Sequence, residues 1–147
     1  MRQYNLISSA LLIGTIAAGP AYAKDVVVQM RNKGPAGFMV FEPAFVNAAP
    51  GDTVRFVPTD PGHNAEPIAG TLPAGVSLPA GKISQVYAVK LTKPGLYGFK
   101  CLPHFGMGMV ALVKVGKGAP ANLGAVSAAP MPPLAKKRLA PLLEQAR

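Results

Sequence analysis

The stretch Cys101-Leu102-Pro103-His104-Phe105-Gly106-Met107-Gly108-Met109 gathers a thiol, an imidazole and a thioether into one short segment. It holds the single cysteine of the 147-residue chain and one of its two histidines. Soft sulfur donors beside imidazole suit copper, and two His with one Cys in a trigonal set, plus a weak axial Met, form an electron-transfer copper site. That set needs a second histidine, and the chain offers only His63, in the loop Pro58-Thr59-Asp60-Pro61-Gly62-His63-Asn64. Zinc would require a third and fourth Cys, His or carboxylate ligand. A cysteine hydrolase using Cys101 and His104 would need an orienting carboxylate or amide and a substrate cleft. A copper carrier or storage protein would spread several Met or His ligands over an open surface. The compact set His63, Cys101, His104 and Met109 around one copper is therefore the expected centre, with the carrier as the alternative.

These residues converge only if the elements flanking them end at one place. From Asp25 to Gly116 the chain reads as short strands punctuated by Pro50-Gly51, Pro61-Gly62, Pro94-Gly95 and Gly116. Residues 25–30, 38–41, 45–46, 52–57, 84–91, 95–101 and 109–115 are the expected strands, and this spacing predicts an all-β sandwich or barrel. Tyr97, Phe99 and Cys101 alternate with Leu96, Gly98 and Lys100, so Cys101 should end a strand facing the core. Met109 should open the next strand, with Ala111, Val113 and Val115 on its face. The loop holding His63 follows the predicted strand 52–57 and can reach the same end.

Past Gly118 the composition changes. An Ala-rich segment, Ala119 to Ala129, is broken by Pro130-Met131-Pro132-Pro133, and Leu134 to Arg147 resumes apolar residues at helical spacing. Two short helices on the sandwich are expected, with Leu134, Leu139, Leu142 and Leu143 as the buried stripe. Pro141 should kink or interrupt the second.

The N-terminus bears on the compartment. Arg2, the apolar run Leu6 to Ala18 and Ala21-Tyr22-Ala23 match a secretory signal peptide. Its apolar run is roughly 13 residues, short of the ~20 a spanning helix needs. Residues 1–23 are expected to be cleaved, leaving 24–147 as one domain in which 119–147 is a helical extension, with no membrane anchor. A lone cysteine in an exported chain cannot close an internal bridge and is protected only by burial or metal. Fifteen Lys and Arg against six Asp and Glu give a net charge of +9. Such a balance suits nucleic acid, an anionic membrane or an acidic protein; export argues against the first, and no amphipathic surface helix precedes the domain to favour the second.

On the Cys-x2-His-x4-Met loop, His63-Asn64, the basic charge and the C-terminal extension, the chain resembles the cupredoxins, or type 1 blue copper proteins, and within them the pseudoazurin branch. The resemblance implies an eight-stranded Greek-key β-sandwich with two C-terminal helices and one copper. His63 and His104 would bind through imidazole nitrogen, Cys101 through thiolate and Met109 as a long axial sulfur. Asn64 would tie the two copper loops together, while Met39 and Pro103 would lie near the ring and edge of His104. The implied function is not enzymatic. It is a periplasmic electron shuttle, monomeric, serving a copper-containing nitrite reductase or cytochromes in denitrification. A basic docking ring of Lys33, Lys82 and Lys100, extending to Lys93, would surround His104, with Lys136 and Lys137 away from that end. Pro61 stands where several relatives carry lysine.

Overall fold

A computed structural model describes residues 22–147. The expected signal peptide therefore falls almost wholly outside the described residues. Among those described, no helix is long and apolar enough to cross a membrane.

Alternating valines and aromatics build two sheets. The first has the order β2-β1-β4-β6, from Gly37–Glu42, Asp25–Gly34, Thr53–Pro58 and Tyr87–Lys90. The second has the order β3-β8-β7-β5, from Phe45–Ala48, Val110–Val115, Gly95–Lys100 and Glu66–Pro67. β1 runs parallel to β4 and β3 parallel to β8, while the other pairings are antiparallel. The inward residues of each strand meet in one core, where Phe56 lies 4.8 Å from Phe99 and 5.5 Å from Phe41 between ring centroids. The eight-stranded sandwich with two C-terminal helices is thus the expected fold.

β7 and β8 are buried on both faces, which the near-continuous apolar run from Met109 to Val113 reflects. Their outward residues Leu96, Val110 and Leu112 lie under α1 (Leu123–Ala128) and α2 (Pro133–Gln145), against Val126, Leu139, Leu142 and Leu143. Fully burying each such side chain is worth about 1.5–3 kcal/mol. The extension is therefore a second core layer over the strands that flank the candidate ligand loop. Gly98 is needed in β7 because a Cβ there would stand 2.7 Å from the Thr71 hydroxyl. Along the free edge of β7, the Ile68 amide donates to Gly98, and the Asn122 side chain both accepts from the Leu96 amide and donates to its carbonyl.

Three expectations change. Leu134 is 49% exposed, and Ala135 takes its place in the inward stripe with Leu139, Leu142 and Leu143, because one residue's rotation of 100° carries Leu134 off that face. α2 runs through Pro141 without a break. Pro141 and Lys137, whose carbonyl loses its usual amide partner, are both exposed, so water can satisfy that carbonyl. The strand expected at 84–91 shortens to Tyr87–Lys90 because Ser84 turns into the left-handed region, at φ 57°, and is used elsewhere.

Candidate metal centre

Ser84 is used to hold the loop that carries His63. Its amide donates to the His63 carbonyl at 2.7 Å, and its hydroxyl accepts from the Gly62 amide at 2.9 Å. β1 holds the other side: the Met30 carbonyl accepts from the Thr59 and Asp60 amides, and the Asp60 carboxylate accepts from the Asn32 amide at 2.7 Å. His63 is fully buried between these supports. Its Nε2 lies 2.9 Å from Asn32 Oδ1. A carboxamide oxygen only accepts, so Nε2 carries the proton and Nδ1 presents its lone pair inward.

Cys101, His104 and Met109 sit on the connection between β7 and β8. This loop is closed by its own backbone: the Cys101 amide donates to the Met109 carbonyl, and the Met109 amide to the His104 carbonyl. A 3₁₀ turn at Phe105–Met107 fills the space between. Asn64 joins the two loops, its Oδ1 accepting from the Leu102 amide at 2.7 Å while its Nδ2 donates to Gly81 and Glu66.

Three donor atoms converge. His63 Nδ1 and His104 Nδ1 are 3.1 Å apart, and Cys101 Sγ lies 3.6 Å from the first and 3.4 Å from the second. A triangle with these sides has a centre ~2.0 Å from every corner, close to the metal–nitrogen and metal–sulfur lengths of ~2.0–2.3 Å found in protein sites. Among the described residues these three form the one cluster of His, Cys or acidic side chains suited to an ion. Met109 is fully buried in the same core cluster as Cys101, and its backbone is bonded to both Cys101 and His104. The donor set fits copper, with soft sulfur beside two imidazoles.

Electrostatics prepares these donors. Burial pushes the His63 pKa below its ordinary value, helped by His104 and opposed by Asp60, which favours the neutral imidazole that a metal needs. Burial pushes the Cys101 thiol up, against the Asn64 and His104 amides that point at the sulfur, and Glu66 raises it further. A bound cation is what draws off such a proton. The same burial leaves no approach for a substrate to a Cys101 nucleophile.

Glu66 was not foreseen at this centre, and Lys100 was expected only as a member of the docking ring. Lys100 Nζ is 3.3 Å from Glu66 Oε1, its side chain is only 20% exposed, and it lies 4.9 Å from the Phe105 ring centroid. Its charge is directed inward, which weakens its place in a docking ring. Replacing Glu66 with Gln removes a negative charge beside the thiolate, which disfavours Cu(II). The reduction potential of the copper form should rise by tens of millivolts. An unchanged potential in titrations would show that Lys100 already cancels Glu66.

The other expected ring members divide. Lys33 lies near the end of β1 just past Asn32, and Lys82 lies close to Ser84, so both exposed lysines flank the centre. Lys93 precedes β7 whereas Cys101 follows it, which separates them by about 20 Å at ~3.3 Å per residue. Lys93 belongs to the far end. Lys136 and Lys137 are not distant from the centre, since the neighbouring Arg138 touches Gly108 in the ligand loop. The structure thus corrects both placements.

The sequence profile of the copper-binding proteins of the plastocyanin/azurin family matches residues 28–116. The chain is 51% identical over 139 residues to a pseudoazurin of Paracoccus pantotrophus, covering 95% of this chain and 94% of that one. It is 48% identical over 141 residues to a pseudoazurin of Methylorubrum extorquens, covering 95% of each. Among solved structures, pseudoazurin from Methylobacterium extorquens superposes with a TM-score of 0.80 at 48% identity, over 84% of this chain and 99% of that one. Pseudoazurin from Hyphomicrobium denitrificans gives 0.78 at 46% identity, over 84% and 98%.

Proposed function

Since the chain belongs to the plastocyanin/azurin family of copper-binding proteins, in its pseudoazurin branch of electron carriers, which are not enzymes, we propose that it holds one type 1 copper on His63, Cys101, His104 and Met109. In this reading His63 and His104 would hold it through Nδ1, Cys101 through Sγ, and Met109 through its thioether. The triangle of donors only 3.1–3.6 Å apart carries the proposal. When bound, copper supplies one-electron cycling between Cu(II) and Cu(I).

The protein's own residues make that cycling fast. Asn32, Ser84 and Asn64 fix His63 and the two loops from outside, so the donors keep their places when the charge changes. His104 is partly exposed among Leu102, Pro103 and Met107, and it presents a route for the electron to the surface. Oxidised, copper-loaded protein should show an intense thiolate-to-copper band in visible light. A colourless, EPR-silent complex would sink the assignment.

The single domain is residues 24–147, delivered to the periplasm by the leader at 1–23. Its partners are redox proteins with acidic docking surfaces, a copper-containing nitrite reductase being the acceptor the family suggests. Steering by Lys33 and Lys82 should act over a Debye length of about 10 Å at 0.1 M salt. Reversing both to Glu should slow second-order electron transfer to such an acceptor at low salt, several-fold, and flatten its salt dependence. Reversing Lys93 and Lys117, the latter just past the end of β8 near Pro94 and so also at the far end, should do much less. Equal losses from the two pairs in stopped-flow rates would show that net charge alone drives the encounter.

A further inference from the structure

The C-terminal helix packs on the ligand loop, where Phe105 joins its apolar face, and presses hardest at Gly108, between His104 and Met109. Gly108 adopts φ +83°, and a Cβ there would meet the Leu134 carbonyl oxygen and Arg138 Cδ, each at 2.9 Å. The backbone of the loop is therefore pressed against α2. Arg138 then spans the gap. Its Nη1 donates to the Met39 carbonyl at 2.8 Å and the Gly108 carbonyl at 3.3 Å, and its Nη2 donates to the Phe38 carbonyl at 2.9 Å. Among the described residues Arg138 forms no ion pair with a carboxylate. Its planar fork serves three backbone carbonyls from two separate segments, the ligand loop and the start of β2. Met39 itself sits at φ 50°, a conformation disfavoured for a residue with a side chain. A local arrangement of this kind persists when its surroundings fix it.

We propose that Arg138 is a positioning residue for electron transfer. Its guanidinium locks the span from His104 to Met109 against Phe38 and Met39 at the start of β2, so the donors on that loop hold one geometry in both oxidation states. The extension beyond Gly118 thereby acts on the redox centre from outside the sandwich. A lysine would not reproduce this function, because its compact ammonium lacks the planar fork that fixes carbonyls of two segments relative to one another.

The inference rests on the ligand assignment above, and the test separates the two. Arg138→Met and Arg138→Lys are compared with the unmodified, copper-loaded chain for copper content, visible and EPR spectra, and electron self-exchange by NMR line broadening. Both variants should bind copper and keep the intense band. They should show an altered ratio of the thiolate bands and self-exchange slowed several-fold. Removing a positive charge alone would speed encounters between like-charged molecules, so slowing in Arg138→Met cannot come from charge. Slowing in Arg138→Lys, at unchanged charge, isolates the bridging geometry. If Arg138→Met fails to fold, Gly108→Ala gives the same reading, since it pushes loop and helix apart with the arginine in place. Spectra and self-exchange identical to the unmodified chain in Arg138→Lys and Gly108→Ala would overturn the proposal. A colourless unmodified chain would instead overturn the ligand assignment.

Discussion

Cys101→Ser is expected to abolish the intense visible absorption of the copper-loaded protein while the sandwich stays folded. The band arises from charge transfer out of a filled sulfur orbital of a thiolate. A serine hydroxyl does not ionise near neutral pH and has no orbital of comparable energy to donate. Copper affinity should fall as well, because the two histidines and the thioether then face a neutral, harder oxygen. The cost to folding should be modest. Cys101 is fully buried, and a buried hydroxyl left without partners costs about 1–3 kcal/mol. Here the Asn64 and His104 amides that point at the sulfur remain to donate to the new oxygen. Visible spectroscopy and circular dichroism on the same sample decide the matter. A variant that keeps the band would remove Cys101 from the centre.

The second large effect is expected at Met109→Gln. Glutamine is close to methionine in length and can occupy the same buried space, so the change acts mainly on the donor atom. An amide oxygen binds Cu(II) more strongly than a thioether does, and it gives less to Cu(I). The oxidised form gains, and the potential should fall. Each tenfold shift in relative affinity is about 59 mV for a one-electron couple. The fall at Met109 should exceed the rise at Glu66→Gln, because a ligand is replaced in one case and a nearby charge in the other. Redox titration of the two variants against the unmodified chain gives both numbers. A potential that does not fall in Met109→Gln would mean that this methionine is packing alone.

Most of the centre was legible because its donors are chemically rare in this chain. With one cysteine and two histidines, a loop holding Cys101, His104 and Met109 left His63 as the only partner. Strand alternation then faced Cys101 inward without any knowledge of topology. Asn64 was legible through resemblance, and the Leu102 amide at its Oδ1 bears that out. The supports were not legible, for a common reason. Asn32 meets His63 because β1 pairs in parallel with β4, a crossing that local pattern does not encode. Ser84 reads as the start of a strand until its bonds to the His63 loop are seen. Lys100 reads as a surface charge until β5, only two residues long, brings Glu66 beside it. Arg138 acts on Gly108 across thirty residues of chain, and the position of Lys136 and Lys137 follows from the same docking of α2. Periodicity gave the helix but misassigned Leu134, since a stripe can begin at either of two neighbouring residues until the sheet beneath selects one.

The Asn122 side chain on β7 has a consequence that concerns solubility and not redox chemistry. An unpaired strand edge is a template on which another chain can add a strand and start a fibre. β5 covers only the end of β7 nearest the cysteine, and Ile68 covers Gly98. At Leu96 the carboxamide of Asn122 pairs with both backbone groups, as the backbone of a neighbouring strand would. One side chain thus closes the remainder of the edge, and it lets the sheet end there without a ninth strand.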